Sequence, residues 1–150
     1  MTYADSALQI LRDRGFRQTK PRRMVLETLD VAEVPLSPYE IADRIKEGGN
    51  KGDVVSVYRI LQALEDNNLV HRVLANGKYR KCHLAPEDEC KRHQTQHCHH
   101  NLVCRACGKV EEFHCPGMDL VEQLLAAQSS FQIERHALEF NGLCPTCKVA

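Results

Sequence analysis

The chain has 150 residues, enough for one large domain or two small ones. Its formal net charge is zero and no apolar run reaches membrane-spanning length, so we expect no membrane-spanning helix. The charge is uneven, because residues 1–81 carry +3 and residues 82–150 carry −3, and all eight cysteines lie from Cys82 onward. We therefore expect two modules, a basic one over residues 1–84 and a metal-rich one over residues 85–150.

The first part of the basic module predicts three short helices. Apolar residues at helical spacing indicate a first helix that ends at Gly15, and Pro21 suits the first turn of a second. Ser37, Pro38 and Glu40 supply an N-cap, a first helical position and a capping box, which together start a third helix.

A fourth helix is predicted from Val54 to about Asn67, with Asp53 as its N-cap. Its apolar stripe consists of Val54, Val57, Leu61 and Leu64. Arg59 projects from the opposite side, and Tyr58 lies at the rim of the stripe. Short helices in this order indicate a helix-turn-helix unit, in which the fourth helix would read DNA.

The dipeptide Asn76-Gly77 is a strong hairpin signal, because β-prone segments flank it over residues 69–74 and 78–83. Helices followed by a hairpin indicate a winged helix. The wing would offer a positive surface to phosphates, unless its cations only form a solvated edge. These cations are Arg72, Lys78, Arg80 and Lys81.

The same hairpin predicts a pair of metal ligands. A two-residue loop at 76–77 would place His71 directly opposite Cys82, with β-carbons roughly 5 Å apart, a span that one Zn²⁺ bridges. His83 would point to the other face, so we prefer Cys82 as the ligand. The alternative is an ordinary wing histidine beside a small buried cysteine.

Two CxxC knuckles in the second module predict a closed tetrahedral zinc site. Its ligands would be Cys104, Cys107, Cys144 and Cys147. Two disulfides or a redox pair are the alternatives. The amino terminus lacks the features of a signal peptide, so we expect a reducing cytoplasmic location, where clustered cysteines and histidines are more often metal ligands.

The segment before Cys104 is rich in histidine and would be extended, so that alternate side chains leave opposite faces. His97 and His99 would leave one face, and one of them would join a metal site whose other ligands would be His71, Cys82 and Glu112. The opposite face would serve a further site made of Cys98, His100, Asp119 in the first turn of a helix over residues 118–128, and His136 on the following strand. A surface histidine tract is the alternative.

Together these motifs resemble the ferric uptake regulator family of bacterial metal-sensing repressors, and within it the zinc uptake regulators. The resemblance covers nearly the whole chain and is carried by residues 15–19 with Arg22, 56–61, 69–73, 97–113 and 142–147. It implies an α+β homodimer with an N-terminal winged-helix domain and a C-terminal α/β dimerisation domain, a structural Cys₄ zinc and a regulatory metal at the hinge.

The resemblance also implies residue roles. Tyr58 and Arg59 would contact bases, and Arg17 and Lys20 would lie near the DNA backbone; Arg22 and Ser56 belong to the same DNA-binding motifs. For the regulatory site the choice between His97 and His99 stays open. Asn101 departs from the family pattern, because many members have a second sensor histidine at that position, and Cys90 and Cys115 match nothing in it.

A thiolate among imidazoles and one carboxylate favours Zn²⁺ over Fe²⁺ or Mn²⁺, which suit sites made of nitrogen and oxygen alone. We therefore predict a repressor of zinc uptake genes that binds a near-palindromic operator with two to three Zn²⁺ per protomer. The alternatives are a sensor of iron or peroxide in the same family and a zinc store. An enzyme is not expected, because the zinc deaminase signature is absent.

Overall fold

The computed structural model describes residues 1–82, 100–113, 117–133 and 136–149, with the backbone alone for Asp119. The chain divides into two compact units, Met1–His83 and Leu84–Ala150. No helix in the described ranges is long and apolar enough to cross a membrane. Several residues singled out in the sequence analysis lie outside the described ranges: His83, Cys90, His97, Cys98, His99 and Cys115.

Four helices build the first unit, and each begins at a residue whose side chain accepts a hydrogen bond from the first turn. They are α1 (Tyr3–Asp13), α2 (Lys20–Asp30), α3 (Pro38–Glu47) and α4 (Val54–Asp66), with Thr2, Thr19, Ser37 and Asp53 as N-caps. The capping box between Ser37 and Glu40 is present as predicted. The local sequence therefore determines where these helices start.

The apolar stripes of the four helices meet in one core. Its centre includes Val25, Leu26, Ile41, Leu61 and Leu64, all fully buried. The predicted stripe of α4 is confirmed at its three central positions, with Val54 partly buried at its edge. Burial of these side chains holds α4 against α2 and α3 and leaves its opposite face exposed.

A two-stranded wing follows, formed by β1 (Val70–Arg72) and β2 (Tyr79–Lys81). Its predicted register is wrong: His71 pairs with Arg80, and the N–H of Cys82 donates to the carbonyl of Leu69. The loop comprises residues 74–77, because the N–H of Val73 donates to the carbonyl of Lys78 and Gly77 adopts a φ of +67°. The strands are thus shifted by two residues, which leaves every side chain on its predicted face.

The prediction of a positive wing needs correction. Lys78 forms an ion pair with Glu40 at 3.0 Å, and Lys81 forms one with Asp30 at 2.6 Å. Arg80 is only 8% exposed, whereas Arg72 is exposed. Arg80 and Lys81 therefore present little charge to solvent, whereas Arg72 is exposed and Lys78 remains partly exposed.

The capping box gives the first unit a testable pH dependence. The backbone N–H of Ser37 donates to Glu40, and this bond, helped by Lys78, lowers the pKa of Glu40 from 4.5 to about 2. Because the folded pKa is depressed, the stabilisation is present above pH 4.5 and is lost as the pH falls towards 2. Glu40 is half exposed, so solvent screens the interaction.

We expect Glu40→Ala to lower the free energy of unfolding by about 1 kcal/mol near neutral pH, a typical net value for one lost hydrogen bond. The difference from the wild type should shrink between pH 4.5 and pH 2. Urea unfolding of both proteins at a series of pH values measures this difference. Groups whose protonation affects both proteins equally do not contribute to it. Glu47→Ala, at the other end of α3, should show no such pH dependence; an equal dependence in both variants would contradict this origin.

The second unit contains a three-stranded sheet. Its elements are β3 (His100–Cys104), β4 (Val110–Phe113), α5 (Met118–Ser129), β5 (Glu139–Gly142) and α6 (Pro145–Lys148). The central strand β3 pairs with β4 in antiparallel and with β5 in parallel orientation. His136 precedes β5 and is not on a strand as predicted, because the parallel pairing begins only at Glu139 opposite Asn101.

Helix α5 exposes an apolar surface. Leu120, Val121, Leu124 and Leu125 are between 43% and 61% exposed. Phe140 on β5 and Leu102 on β3, cross-strand neighbours in the sheet, are also exposed. Exposed apolar side chains that cluster on one element often mark an interaction site.

Candidate metal sites and nucleic-acid interface

The four knuckle cysteines converge on one point in the second unit. Cys104 ends β3, Cys107 follows in the turn before β4, and Cys144 and Cys147 frame the start of α6. Their sulfur atoms all lie within 4.8 Å of one another, and the sulfurs of Cys107 and Cys144 are 3.8 Å apart. Zn–S bonds of about 2.3 Å in a tetrahedron give a sulfur separation of this size.

The first knuckle depends on a glycine. Gly108 has a φ of +75°, and its N–H donates to the carbonyl of Cys104 at 2.9 Å. A side chain is strained in this conformation, so glycine allows the chain to turn back into β4 directly after the second thiol. The five cysteines in the described ranges are free thiols, which excludes the disulfide alternative for the knuckles.

The thiols of this cluster cannot all be deprotonated without a cation. The backbone N–H of Cys144 donates to the sulfur of Cys104 at 3.3 Å and lowers the pKa of Cys104 to about 6. Hydrogen bonds with the neighbouring thiols, Cys144 first, raise the pKa of Cys147 to about 12. A divalent cation resolves this conflict, because it is bound by thiolates and releases their protons. The donor set therefore fits zinc.

The wing brings two further ligand types together. His71 is half buried on β1, Cys82 is buried directly after β2, and their ligand atoms lie within 4.8 Å of each other. Cys82 thus lies two residues beyond the cross-strand partner of His71 and not directly opposite it, and the two side chains still point to the same face. Glu112, the predicted carboxylate ligand, is half buried on β4 of the second unit.

Two residues of the predicted further site are adjacent. The rings of His100 and His136 stack with centroids 5.0 Å apart, and His100 is fully buried. Glu122 also contacts His136 and accepts a hydrogen bond from its Nδ1. The sequence argument missed Glu122, although it lies one helical turn after Asp119 on α5 and a search of the second turn would have found it.

The exposed face of α4 is a candidate surface for DNA. Arg59 and Tyr58 are exposed there, and Ser56 is exposed with its hydroxyl donating to the N-cap Asp53 at 2.6 Å. The ring of Tyr58 packs edge-on against Tyr39 of α3, with centroids 6.3 Å apart. Tyr39 is 61% exposed and was missed, because a single tyrosine in a first turn carries no distinctive sequence signal.

The residues predicted to contact DNA before and within α2 differ in their exposure. Arg17 and Lys20 are exposed. Arg22 is half buried, its guanidinium lies 5.6 Å from the centroid of the Phe16 ring, and it donates to the carbonyl of Arg17. Its geometry is that of a residue that holds the loop before α2 in place, so that Arg17 and Lys20 are presented to solvent.

The model of the ferric uptake regulator family matches residues 13–141 of this chain. The chain belongs to the ferric uptake regulator family. The α+β fold with an N-terminal winged helix, expected from the sequence, is confirmed. As a member of this family the protein is a metal-responsive transcriptional regulator and not an enzyme.

Relatives in this family include regulators named for zinc uptake and for peroxide. The zinc uptake regulation protein of Escherichia coli K12 is 29% identical over 141 residues, covering 94% of this chain and 78% of its own. The peroxide operon regulator of Bacillus subtilis 168 is 28% identical, covering 94% of this chain and 90% of its own. A zinc uptake regulator solved in complex with zinc and DNA superposes with a TM-score of 0.83 at 28% identity, covering 97% of this chain and 93% of that one.

Proposed function

We propose that the protein is a zinc-responsive DNA-binding repressor of zinc uptake genes, acting as a cytoplasmic homodimer with Zn²⁺ as corepressor. The observation that carries this proposal is the Cys82 thiol beside His71 at the end of the wing. A thiolate with imidazole selects Zn²⁺ among the cations that regulators of this family sense. The similarity to a zinc uptake regulator bound to zinc and DNA supports the same function.

The regulatory zinc would have four ligands: His71, Cys82, Glu112 and either His97 or His99. Bound Zn²⁺ would hold these ligands together and, through its charge, would balance the thiolate and the carboxylate. A second zinc would occupy the Cys₄ site. A third would lie at His100 and His136, with Cys98 and Asp119 as its predicted further ligands.

The proposed mechanism is thermodynamic linkage. Ligands drawn from the wing and from β4 would restrict the angle at which α4 is presented, so metal would bind better to the DNA-competent arrangement. By reciprocity, operator DNA would then tighten metal binding by the same factor. The first unit contributes a rigid reader, because α4 is packed into the core through Val57, Leu61 and Leu64.

Dimerisation is proposed from the exposed apolar surface of the second unit. Leu120, Val121, Leu124 and Leu125 of α5 would be covered by a second copy of the chain. A two-fold dimer would present two copies of α4 and thus requires a near-palindromic operator. Sedimentation of the purified protein tests this, and a monomer at micromolar concentration would refute it.

Arg59 would read the operator from α4, because an exposed guanidinium can bond two acceptors of one guanine. We expect Arg59→Ala to weaken operator binding by roughly 1–3 kcal/mol and random DNA much less. Fluorescence anisotropy with both duplexes at one salt concentration measures the difference.

A matched control lies one turn along the same helix. Gln62 is exposed on α4 and donates to Asp66 at 2.8 Å, so Gln62→Ala changes the surface without removing charge. It should have a smaller effect than Arg59→Ala on the operator. Equal weakening of operator and random DNA by Arg59→Ala would mean that Arg59 contacts only phosphates.

The function as a whole is tested by titrating an operator-like duplex with protein whose regulatory site is free of metal, and then repeating the titration in the presence of Zn²⁺, Fe²⁺ or Mn²⁺. Zinc should raise operator affinity at lower free concentration than the other ions. Activation by Fe²⁺ or Mn²⁺ and not by Zn²⁺ would place the protein with the iron or peroxide sensors. Absence of DNA binding with every ion would favour a zinc store.

A further inference from the structure

The tip of the wing carries one cation beside an exposed apolar side chain. Arg72 ends β1 and is exposed, and Leu74, in the loop over residues 74–77, is 60% exposed. The loop itself contains no charged residue. Lys78 and Lys81 each form an ion pair with a helix carboxylate, whereas Arg72 belongs to no ion pair within residues 1–82. The wing tip, defined as Arg72 with this loop, therefore presents a guanidinium to solvent.

The loop backbone supports that guanidinium. A β-carbon at Gly77 would lie 3.3 Å from Nη2 and 3.7 Å from Nε of Arg72, so the guanidinium lies against the glycine. Gly77 has a φ of +67°, and the side-chain oxygen of Asn76 accepts a hydrogen bond from the N–H of Lys78 at 3.0 Å. The conformation of the loop thus determines where the charge of Arg72 is presented.

Arg72 lies close to the exposed face of α4 within the first unit. Its cross-strand partner is Tyr79, and the two side chains point to the same face of the wing. Burial raises the pKa of Tyr79, and the ionisable groups of Glu65, Arg72 and Tyr58 are near enough to act on it as well. Tyr58 belongs to the exposed face of α4. A DNA duplex that contacts Tyr58 would therefore pass within reach of Arg72.

We propose that the wing tip binds the DNA minor groove next to the major-groove segment contacted by α4, with Arg72 inside the groove and Leu74 against its sugar walls. The preferred ligand is a narrow, A·T-rich minor groove. The inference rests on the proposed function, because it takes α4 as the DNA reader. It adds a second point of sequence selection about five base pairs, or half a helical turn, from the first.

The chemistry of the wing tip favours the minor groove over a contact with phosphates alone. A narrow A·T-rich groove has an enhanced negative potential that attracts an inserted arginine side chain. A guanidinium is more weakly hydrated than an ammonium, so less hydration is lost when it is inserted. Proteins that bind the minor groove often place apolar side chains beside such cations, which accounts for Leu74. A phosphate would offer nothing to an exposed leucine.

The experiment enriches bound duplexes from a randomised pool with full-length, zinc-loaded protein and determines their sequences. The wild type should select a palindromic centre and, outside it, A·T pairs about five base pairs from each α4 contact. Arg72→Ala should select the same centre and lose the preference for A·T pairs in the flanks.

Fluorescence anisotropy on two selected duplexes that differ only in their flanks gives the magnitude. The wild type should bind the duplex with A·T flanks roughly fivefold or more tightly than the duplex with G·C flanks, the lower end of what one specific position contributes. Arg72→Ala should bind the two duplexes almost equally.

Two further variants separate groove recognition from net charge. Arg72→Lys keeps the charge and loses the planar guanidinium, so it should bind random duplex like the wild type and discriminate less between the flanks. Arg12→Ala removes the same charge from an exposed position on α1 and should keep the flank preference. Full flank preference in Arg72→Lys, or an equal loss in Arg12→Ala, would overturn the inference, because Arg72 would then act through its charge alone. The Arg72→Lys result decides the matter if Arg72→Ala does not fold.

Failure of the underlying function is recognised separately. A wild-type protein with zinc that enriches no sequence refutes the proposed function and this inference with it. A wild-type protein that selects a palindromic centre supports the function. If its flanks then show no preference for A·T pairs, or if Arg72→Ala retains that preference, the inference alone is refuted.

Discussion

Cys144→Ser should remove the Cys₄ zinc and unfold the second unit. Structural zinc contributes roughly 10–16 kcal/mol of apparent binding free energy in zinc-finger peptides near neutral pH, which is as large as the whole net stability of a typical domain. Cys144 supplies one of four convergent sulfurs and lies where β5 leads into α6, so the second knuckle would keep only one ligand, Cys147.

The expected readouts differ between the two units. Zinc content should fall by one ion per chain, the dimer should dissociate, and the thermal transition of the second unit should disappear. The helical signal of α1 to α4 should persist, because their core consists only of residues of the first unit. A Cys144→Ser protein that remains a dimer with full zinc content would contradict the assignment.

Acid should remove the same zinc. Binding requires deprotonated thiols, and the neighbouring thiols raise the pKa of Cys147 to about 12. Binding near neutral pH must therefore displace protons, and affinity decreases as the pH falls. The backbone N–H that lowers the pKa of Cys104 to about 6 makes that thiolate the first ligand available to an incoming ion.

Helix starts were the part of the fold that the sequence predicted best, and the reason is local. An N-cap side chain and the N–H that donates to it lie three residues apart, as in the bond from the N–H of Glu40 to the Ser37 hydroxyl, so a short window of sequence contains both partners. The wing register failed because a distant residue sets it. Leu36 and Tyr79 exchange two backbone hydrogen bonds, which fix β2 independently of the turn.

The candidate sites show the same division. The Cys₄ cluster was predicted because each CxxC knuckle is recognised within four consecutive residues. The sequence contains two such knuckles, so they could be combined in only one way. Glu122 and Tyr39 were not singled out because their contacts are with a residue of another segment, His136 for Glu122 and Tyr58 for Tyr39. His71 and Cys82 share a face as predicted although the predicted register was wrong, because a shift of two residues leaves each side chain on the same face of its strand.

Cys82→Ser should separate metal sensing from folding. The serine oxygen is a poor zinc ligand, so the regulatory site would lose its thiolate, while the cysteines of the Cys₄ site are untouched. We expect a folded dimer that keeps the Cys₄ zinc and no longer gains operator affinity on addition of Zn²⁺. The lost gain should be about 5–150-fold, the usual range of coupling between two sites.

The measurement is an anisotropy titration of operator duplex with and without Zn²⁺, performed on Cys82→Ser and Cys144→Ser in parallel. The two variants remove the same atom from different sites: the first should lose regulation and keep the fold, and the second should lose the fold of the second unit. His83→Ala offers a further control, since strand alternation in the sequence assigns His83 to the face opposite Cys82. If His83→Ala abolished the zinc response and Cys82→Ser preserved it, the sensor would be built on the other face of the wing, and the thiolate argument for zinc would fail with it.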